Sequence, residues 1–339
     1  MSTVTTTPSG AKPFLTTILA LCVLIAPTQA SPSTGARALS GPPTAQDEDP
    51  RAALPTPEPP PALTSAKIQK LGRSIKKLTS KKTKARLLAE EDILEFGRGA
   101  IPVLVKEAAT TSPYKQLSVQ RCLIALADLR DWDLVEAKLE SPQVALRRFA
   151  ARKAGELQLE HLIETLELLL EDADSEVRLE AAVALASLGS ETSLGALAEA
   201  YTQIFRLEQD EDTNRSDETL EASLQVGVRI RASLPGLAGL GNHATLIARL
   251  KSDPALEKTN PEKAALDRQS AIAMLMTIGD EAAIAGISRA LDDTHNVVQR
   301  DAINALRHLL EDQPPFSGGS IFQQINEVKR LKEALARSR

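Results

Sequence analysis

Aromatic side chains are scarce in this chain: one Trp, two Tyr and six Phe among 339 residues. Sandwich cores of β-strands and the stacking platforms that grip single-stranded nucleic acid both draw on such rings, so neither is expected. Cysteine is scarcer still, with only Cys22 and Cys122. Cys22 lies in an N-terminal apolar run. Cys122 is then left alone in the mature chain, where no internal disulfide can form, and it is expected as a small buried apolar residue. No apolar run reaches the ~20 residues of a comfortable membrane-spanning helix. The apolar stretch Leu15–Ala26 follows the lone charge Lys12 and precedes the small residues up to Ala30. This pattern predicts a secretory signal peptide over 1–30, cleaved near Ala30, an extracytoplasmic (periplasmic or secreted) chain, and no transmembrane helix after cleavage. The alternative is an uncleaved N-terminal membrane anchor.

Catalytic and metal signatures are also missing. There is no Gly-x-Ser-x-Gly elbow, and His161, His243, His295 and His308 fall on separate units without His-x-x-x-His or Cys-x-x-Cys spacing. No catalytic residue, cofactor or metal ligand is expected, and the chain is expected not to be an enzyme. Two weaker patterns each have a plainer reading. Asp210 to Glu221 places acids or amides at loop positions 1, 3, 5 and 12, as calcium loops do, but Arg215 and Asp217 stand where Gly and an apolar anchor are wanted. A flexible acidic loop is the default there. Gly236, Gly239 and Gly241 do not have phosphate-cradle spacing and are read as helix-end and close-packing residues.

What the chain does have is a repeated helix. In residues 172–189, Val177, Ala181, Ala184, Leu185 and Leu188 form one stripe at steps of three and four. Asp174 or Ser175 can cap its start, and Gly189 can end it in the left-handed conformation. Shifted back by 31 residues, Leu146-Arg147 falls on Val177-Arg178. Shifted forward by 90, Arg268 falls on Arg178 and Ile278-Gly279 on Leu188-Gly189; shifted by 121, Val298 falls on Val177 and Leu309 on Leu188. The closing apolar positions Leu129, Leu157, Leu188, Leu240, Ile278 and Leu309 are spaced 28, 31, 52, 38 and 31 apart. A period near 30 with two insertions is the mark of a solenoid, in which no unit buries its apolar stripe alone.

The motif of an acidic residue, Val-Arg and Ala-x-x-Ala-Leu-x-x-Leu-Gly resembles the second helix of HEAT repeats in their short bacterial form. Gly99-Ala100-Ile101-Pro102-Val103-Leu104 resembles the start of a first helix. The resemblance covers roughly residues 83–311. It implies an all-α, α–α superhelix, in which Arg147, Arg178 and Arg268 bond acidic residues between repeats and the second helices line the concave side. It implies little about activity. Some bilin lyases share this repeat form, which gives a cofactor-handling enzyme as an alternative reading.

The remaining segments flank this array. Nine prolines between 31 and 62 predict a disordered spacer. Residues 64–86 carry nine basic and no acidic side chains, with Ile68, Leu71, Ile75 and Leu78 at helical spacing. A capping helix over 63–82 is the first reading, and weak contact with an anionic envelope or membrane surface the second. Residues 87–339 carry a net charge of −13, which argues against nucleic acid as a partner. The repeat array is expected over 83–311 with an acidic insertion at 206–218, and a capping helix over 312–339. The partner expected is a protein or peptide. Its candidate binding face runs opposite the buried stripe: Arg148, Arg152, Leu179, Val183, Gln269, Met276, Arg300, Asn304 and Arg307. Basic ends and an apolar middle would suit an extended or helical peptide. Burial of the middle helices on all sides is the competing reading.

Overall fold

The computed structural model describes residues 50–209, 218–251, 253–316 and 320–337. They form sixteen α-helices, joined by short 3₁₀ turns, with no strand among the described residues. In order these are α1 (Ser65–Lys77), α2 (Thr83–Leu94), α3 (Ile101–Glu107), α4 (Pro113–Leu126), α5 (Trp132–Leu139), α6 (Val144–Glu156), α7 (Ile163–Leu168) and α8 (Ser175–Ser187). Then come α9 (Leu194–Gln209), α10 (Glu218–Ser233), α11 (Ala244–Arg249), α12 (Pro254–Thr259), α13 (Pro261–Ile278), α14 (Glu281–Arg289), α15 (Asn296–Glu311) and α16 (Ile321–Arg337). The second helices α4, α6 and α8 pack on one another in succession, and α13 packs on α15 in the same way. This is the α–α superhelix that the repeat spacing predicts.

The anticipated caps form. The Asp174 carboxylate accepts from the backbone N–H of Glu176 and Val177 at the start of α8. At its end Gly189 takes φ +82°, and the N–H of Ser190 reaches back to the Leu185 carbonyl at 2.8 Å. The buried core falls into two clusters, and both include α8. Val177, Ala181, Ala184 and Leu185 belong to the N-terminal cluster, whereas Ala182 and Ala186 belong to the C-terminal one. Alanine makes this double burial possible, because its small side chain lets helices approach on two faces.

The repeat arginines hold the turns. Arg147 donates to the carbonyl of Ser141, and Arg178 to that of Asp172, in each case six residues earlier. Arg86 does the same toward Ser80. Arg147 also forms a bidentate pair with Asp172 of the next repeat, at 2.7 and 2.9 Å. Arg268, almost fully buried, pairs with Asp293 and Glu257.

Several elements differ from the sequence expectation. The proline-rich spacer was expected to stay disordered through 62. Instead residues 50–63 lie against the array, with Leu54 and Leu63 packed on its N-terminal core cluster. Proline lacks the N–H that a strand ladder or a helix interior needs, but this does not prevent an extended segment from docking. A short helix, α12, appears where no helix was predicted; Asp253 caps it and Pro254 occupies its first position. The insertion expected at 206–218 is narrower, since α9 continues to Gln209 and α10 starts at Glu218. Its centre, residues 210–217, and the leader over 1–30 lie outside the described residues.

At the ends of the array, α1 buries Leu71 and Ile75, and Leu78 just after it is buried too, while Ile68 stays exposed. Its lysines point to solvent. At the other end α16 buries Leu331 and packs on α15. No helix among the described residues is long and apolar enough to cross a membrane.

Candidate functional site

The second helices α6, α8 and α10 enclose an open cleft of about 330 Å³. Gly155 sets its depth. A Cβ on that residue would stand 2.7 Å from the Ala184 Cα, so only glycine lets α6 approach α8 this closely. Gln158, in the left-handed region at φ +55°, ends α6 and donates its side-chain amide to the carbonyls of Gly155 and Ser187. It thereby ties the two helices together at one lip. Gly236 does similar work beneath α8, where a Cβ would stand 2.6 Å from the Ala186 carbonyl oxygen.

Val183, Ala184 and Ala232 give the cleft its apolar surface, and Arg152 and Arg229 give it charge. Arg152 pairs with Glu156 at 2.8 Å, and Lys153 reaches the same carboxylate at 3.0 Å. Burial pushes the Glu156 carboxyl up, but these two cations outweigh it and hold the group below its ordinary range. Arg229 reaches across from α10 to grip both oxygens of Glu180 on α8. Each guanidinium carries five N–H donors, so donors beyond these pairs remain for an acceptor entering the cleft. Ser187 and Ser233 both donate to backbone carbonyls of their own helices, those of Val183 and Ile230.

Of the nine residues marked from sequence, Arg152 and Val183 meet in this cleft. Arg148 instead forms a bidentate pair with Asp174 at 2.9 Å and reaches Glu176 at 2.8 Å. Leu179 and Met276 pack against the C-terminal core cluster. Gln269 donates to Asp301, a carboxyl that burial pushes upward. Asn304 accepts from the backbone N–H of Phe316, and Arg307 bonds the Pro314 carbonyl and Glu327 of α16. Arg300 is exposed. The C-terminal segment thus covers the end of the row, and the nine positions do not form one continuous trough. Gly155, Gln158 and Arg229 were missed. Gly155 had a signal: glycine inside an alanine-rich helix costs about 1 kcal/mol relative to alanine, which calls for a packing reason. Gln158 and Arg229 act through tertiary geometry that spacing does not carry.

The other candidates are placed as follows. Cys122 is buried, and burial followed by the nearby Glu90 charge pushes its thiol up to about 12. Gly239 takes φ +74°, and Gly241 lies against Glu191. The histidines are dispersed: His161 stands perpendicular to the Trp132 ring, His243 lies between Glu191 and Asp280, and His295 bonds Glu257. The middle of the acidic loop lies outside the described residues.

The chain resembles an engineered protein of known structure at 16% identity, covering 78% of this chain and 97% of that one with a TM-score of 0.25. It also resembles the complex of CpcE and CpcF of phycocyanin lyase from Nostoc sp. PCC7120 at 21% identity, covering 85% of this chain and 100% of that one with a TM-score of 0.22. No curated protein matches. The family model for HEAT repeats matches residues 132–203, which span α5 to most of α9. Residues 132–203 of this all-helical stack are therefore HEAT repeats.

Proposed function

We propose that the chain is a non-catalytic scaffold that binds a protein segment in the cleft between α6, α8 and α10. One observation carries this reading: an apolar floor flanked by two guanidiniums that are already fixed by carboxylates. An arginine held in place loses little side-chain freedom on binding, so its remaining donors can serve a peptide carbonyl or carboxylate at low entropic cost. The two serines of the cleft spend their hydroxyl protons on backbone carbonyls of their own helices, which favours binding over nucleophilic chemistry. In this reading the first 30 residues direct export, with cleavage near Ala30. Sequencing the N-terminus of the mature protein checks that step.

The cleft reading is tested by placing a photo-crosslinking residue at Ala232, which lines the cleft and is exposed, and a second at Glu333 on the far end of α16. A protein adduct at 232 that is lost with Val183→Glu and absent at 333 is the expected result. Equal adducts at both sites, or none at 232, would reject the cleft as the binding surface.

A further inference from the structure

Residues 54–63, Leu-Pro-Thr-Pro-Glu-Pro-Pro-Pro-Ala-Leu, run without helix or strand against Arg98, Gly99, Arg130 and Trp132, none of which lines the cleft. Their burial follows a period of three. Leu54, Pro57, Pro60 and Leu63 are half-buried, and the residues between them are exposed. A left-handed polyproline helix has three residues per turn and no internal hydrogen bonds, so one face of such a helix lies on the protein and its carbonyls are available. The array uses those carbonyls at the same interval. The Trp132 indole N–H donates to the Pro55 carbonyl at 2.8 Å, and Arg98 donates to the Glu58 carbonyl at 2.7 Å. Three residues further on, the Pro61 carbonyl passes over Gly99, where a Cβ would stand 2.8 Å away. The Glu58 N–H donates in turn to the Arg130 carbonyl at 3.1 Å, and its carboxylate lies 3.4 Å from the Arg130 guanidinium.

The receiving side is built in advance. Asp131, only 2% exposed, holds Arg98 through two bonds at 2.7 and 2.9 Å. The Trp132 ring is braced by the perpendicular His161 ring at 5.7 Å between centroids. Aromatic side chains are what proteins use to dock proline-rich peptides, and here the Trp132 N–H, the Arg98 guanidinium and the bare Cα of Gly99 each face one turn of the segment. By contrast, no residue of the segment 51–63 is fully buried, as a strand of the core would be.

We propose that the edge formed by Arg98, Gly99, Arg130 and Trp132 is a recognition groove for extended proline-rich peptides. They carry Leu or Pro at every third position and a central Glu, and the chain's own residues 54–63 are a detachable cis occupant of that groove. This inference is independent of the cleft between α6, α8 and α10. Trp132 is the only tryptophan in the chain, so its emission reports occupancy directly.

The test uses the full chain with a specific protease site inserted between Leu63 and Thr64, cleaved after folding. A synthetic peptide of residues 50–63 is then added back. The expected result is unchanged helicity after cleavage, a dilution-dependent shift in Trp132 emission and its quenching, and saturable reversal by the peptide. The Arg98→Gln variant should weaken that reversal at least tenfold, as should a peptide with Leu54, Pro57, Pro60 and Leu63 replaced by Ser. Loss of helicity on cleavage would overturn the proposal, because the segment would then be part of the fold rather than a ligand. Failure of the peptide to rebind, or equal binding of the substituted peptide, would overturn it as well.

Discussion

Single residues carry the repeat geometry in two ways, through ion pairs that bridge units and through glycines that set distances. The Arg147–Asp172 pair is mostly shielded from water, whereas Lys332–Asp292 is exposed. Asp172→Ala should therefore cost about 1–3 kcal/mol, since it leaves a half-buried guanidinium without its partner. Asp292→Ala should cost about 0–1 kcal/mol. Chemical denaturation of both variants checks the contrast. Gly155→Ala should destabilise by about 1–3 kcal/mol despite alanine's better helix propensity, because the new methyl meets backbone rather than a flexible side chain. Cys122, with its thiol pushed up to about 12, should alkylate at neutral pH at least about a hundredfold more slowly in the folded chain than in denaturant.

At the scale of elements, α8 contributes to both core clusters. Leu185 is fully buried in the N-terminal cluster, while Ala182 and Ala186 on the same helix are buried in the C-terminal one. Replacing Leu185 with Ala should cost about 2–5 kcal/mol in thermal or denaturant unfolding. The stripe, caps and end of this helix were legible in the sequence because they depend on local spacing and local hydrogen bonds. Arg147 and Arg268 pair with acidic residues as the resemblance implies, whereas Arg178 bonds the Asp172 and Ala173 carbonyls of its own turn. The docking of residues 50–63 was not legible, since proline richness alone reads as a loose spacer and the contacts at Arg98 and Trp132 are remote in sequence. The candidate face was legible only in part. Periodicity marked the buried stripe Val177, Ala181, Ala184 and Leu185 of α8, but its other side is buried as well, through Ala182 and Ala186. It could not show that Arg307 and Asn304 meet the C-terminal segment, or that Leu179 is taken up by the second core cluster.

For the molecule as a whole, charge and packing make stability depend on pH in a defined direction. The Arg147 guanidinium holds Asp172 below the ordinary carboxylate range, and Arg330 followed by Arg307 holds Glu327 below it. A lowered folded-state value means stability that is present above the unfolded value and lost as pH falls through the folded one. Asp301 works oppositely, since burial raises it and acid relieves its cost. Melting temperature should thus be flat near neutrality and fall on acidification below the usual carboxylate range, with Asp301→Asn flattening no part of that fall. The acidic array, carrying −13 over residues 87–339, sits beside a basic first helix that presents its lysines to solvent.

The most direct measurement is hydrogen exchange across the whole chain, comparing the natural protein with Leu185→Ala. Helix α8 is buried in both clusters, so the substitution should lower amide protection in α5 and α6 on one side and in α9 and α13 on the other. Protection lost on the N-terminal side alone, with α13 unchanged, would contradict the account of one stack joined through this helix.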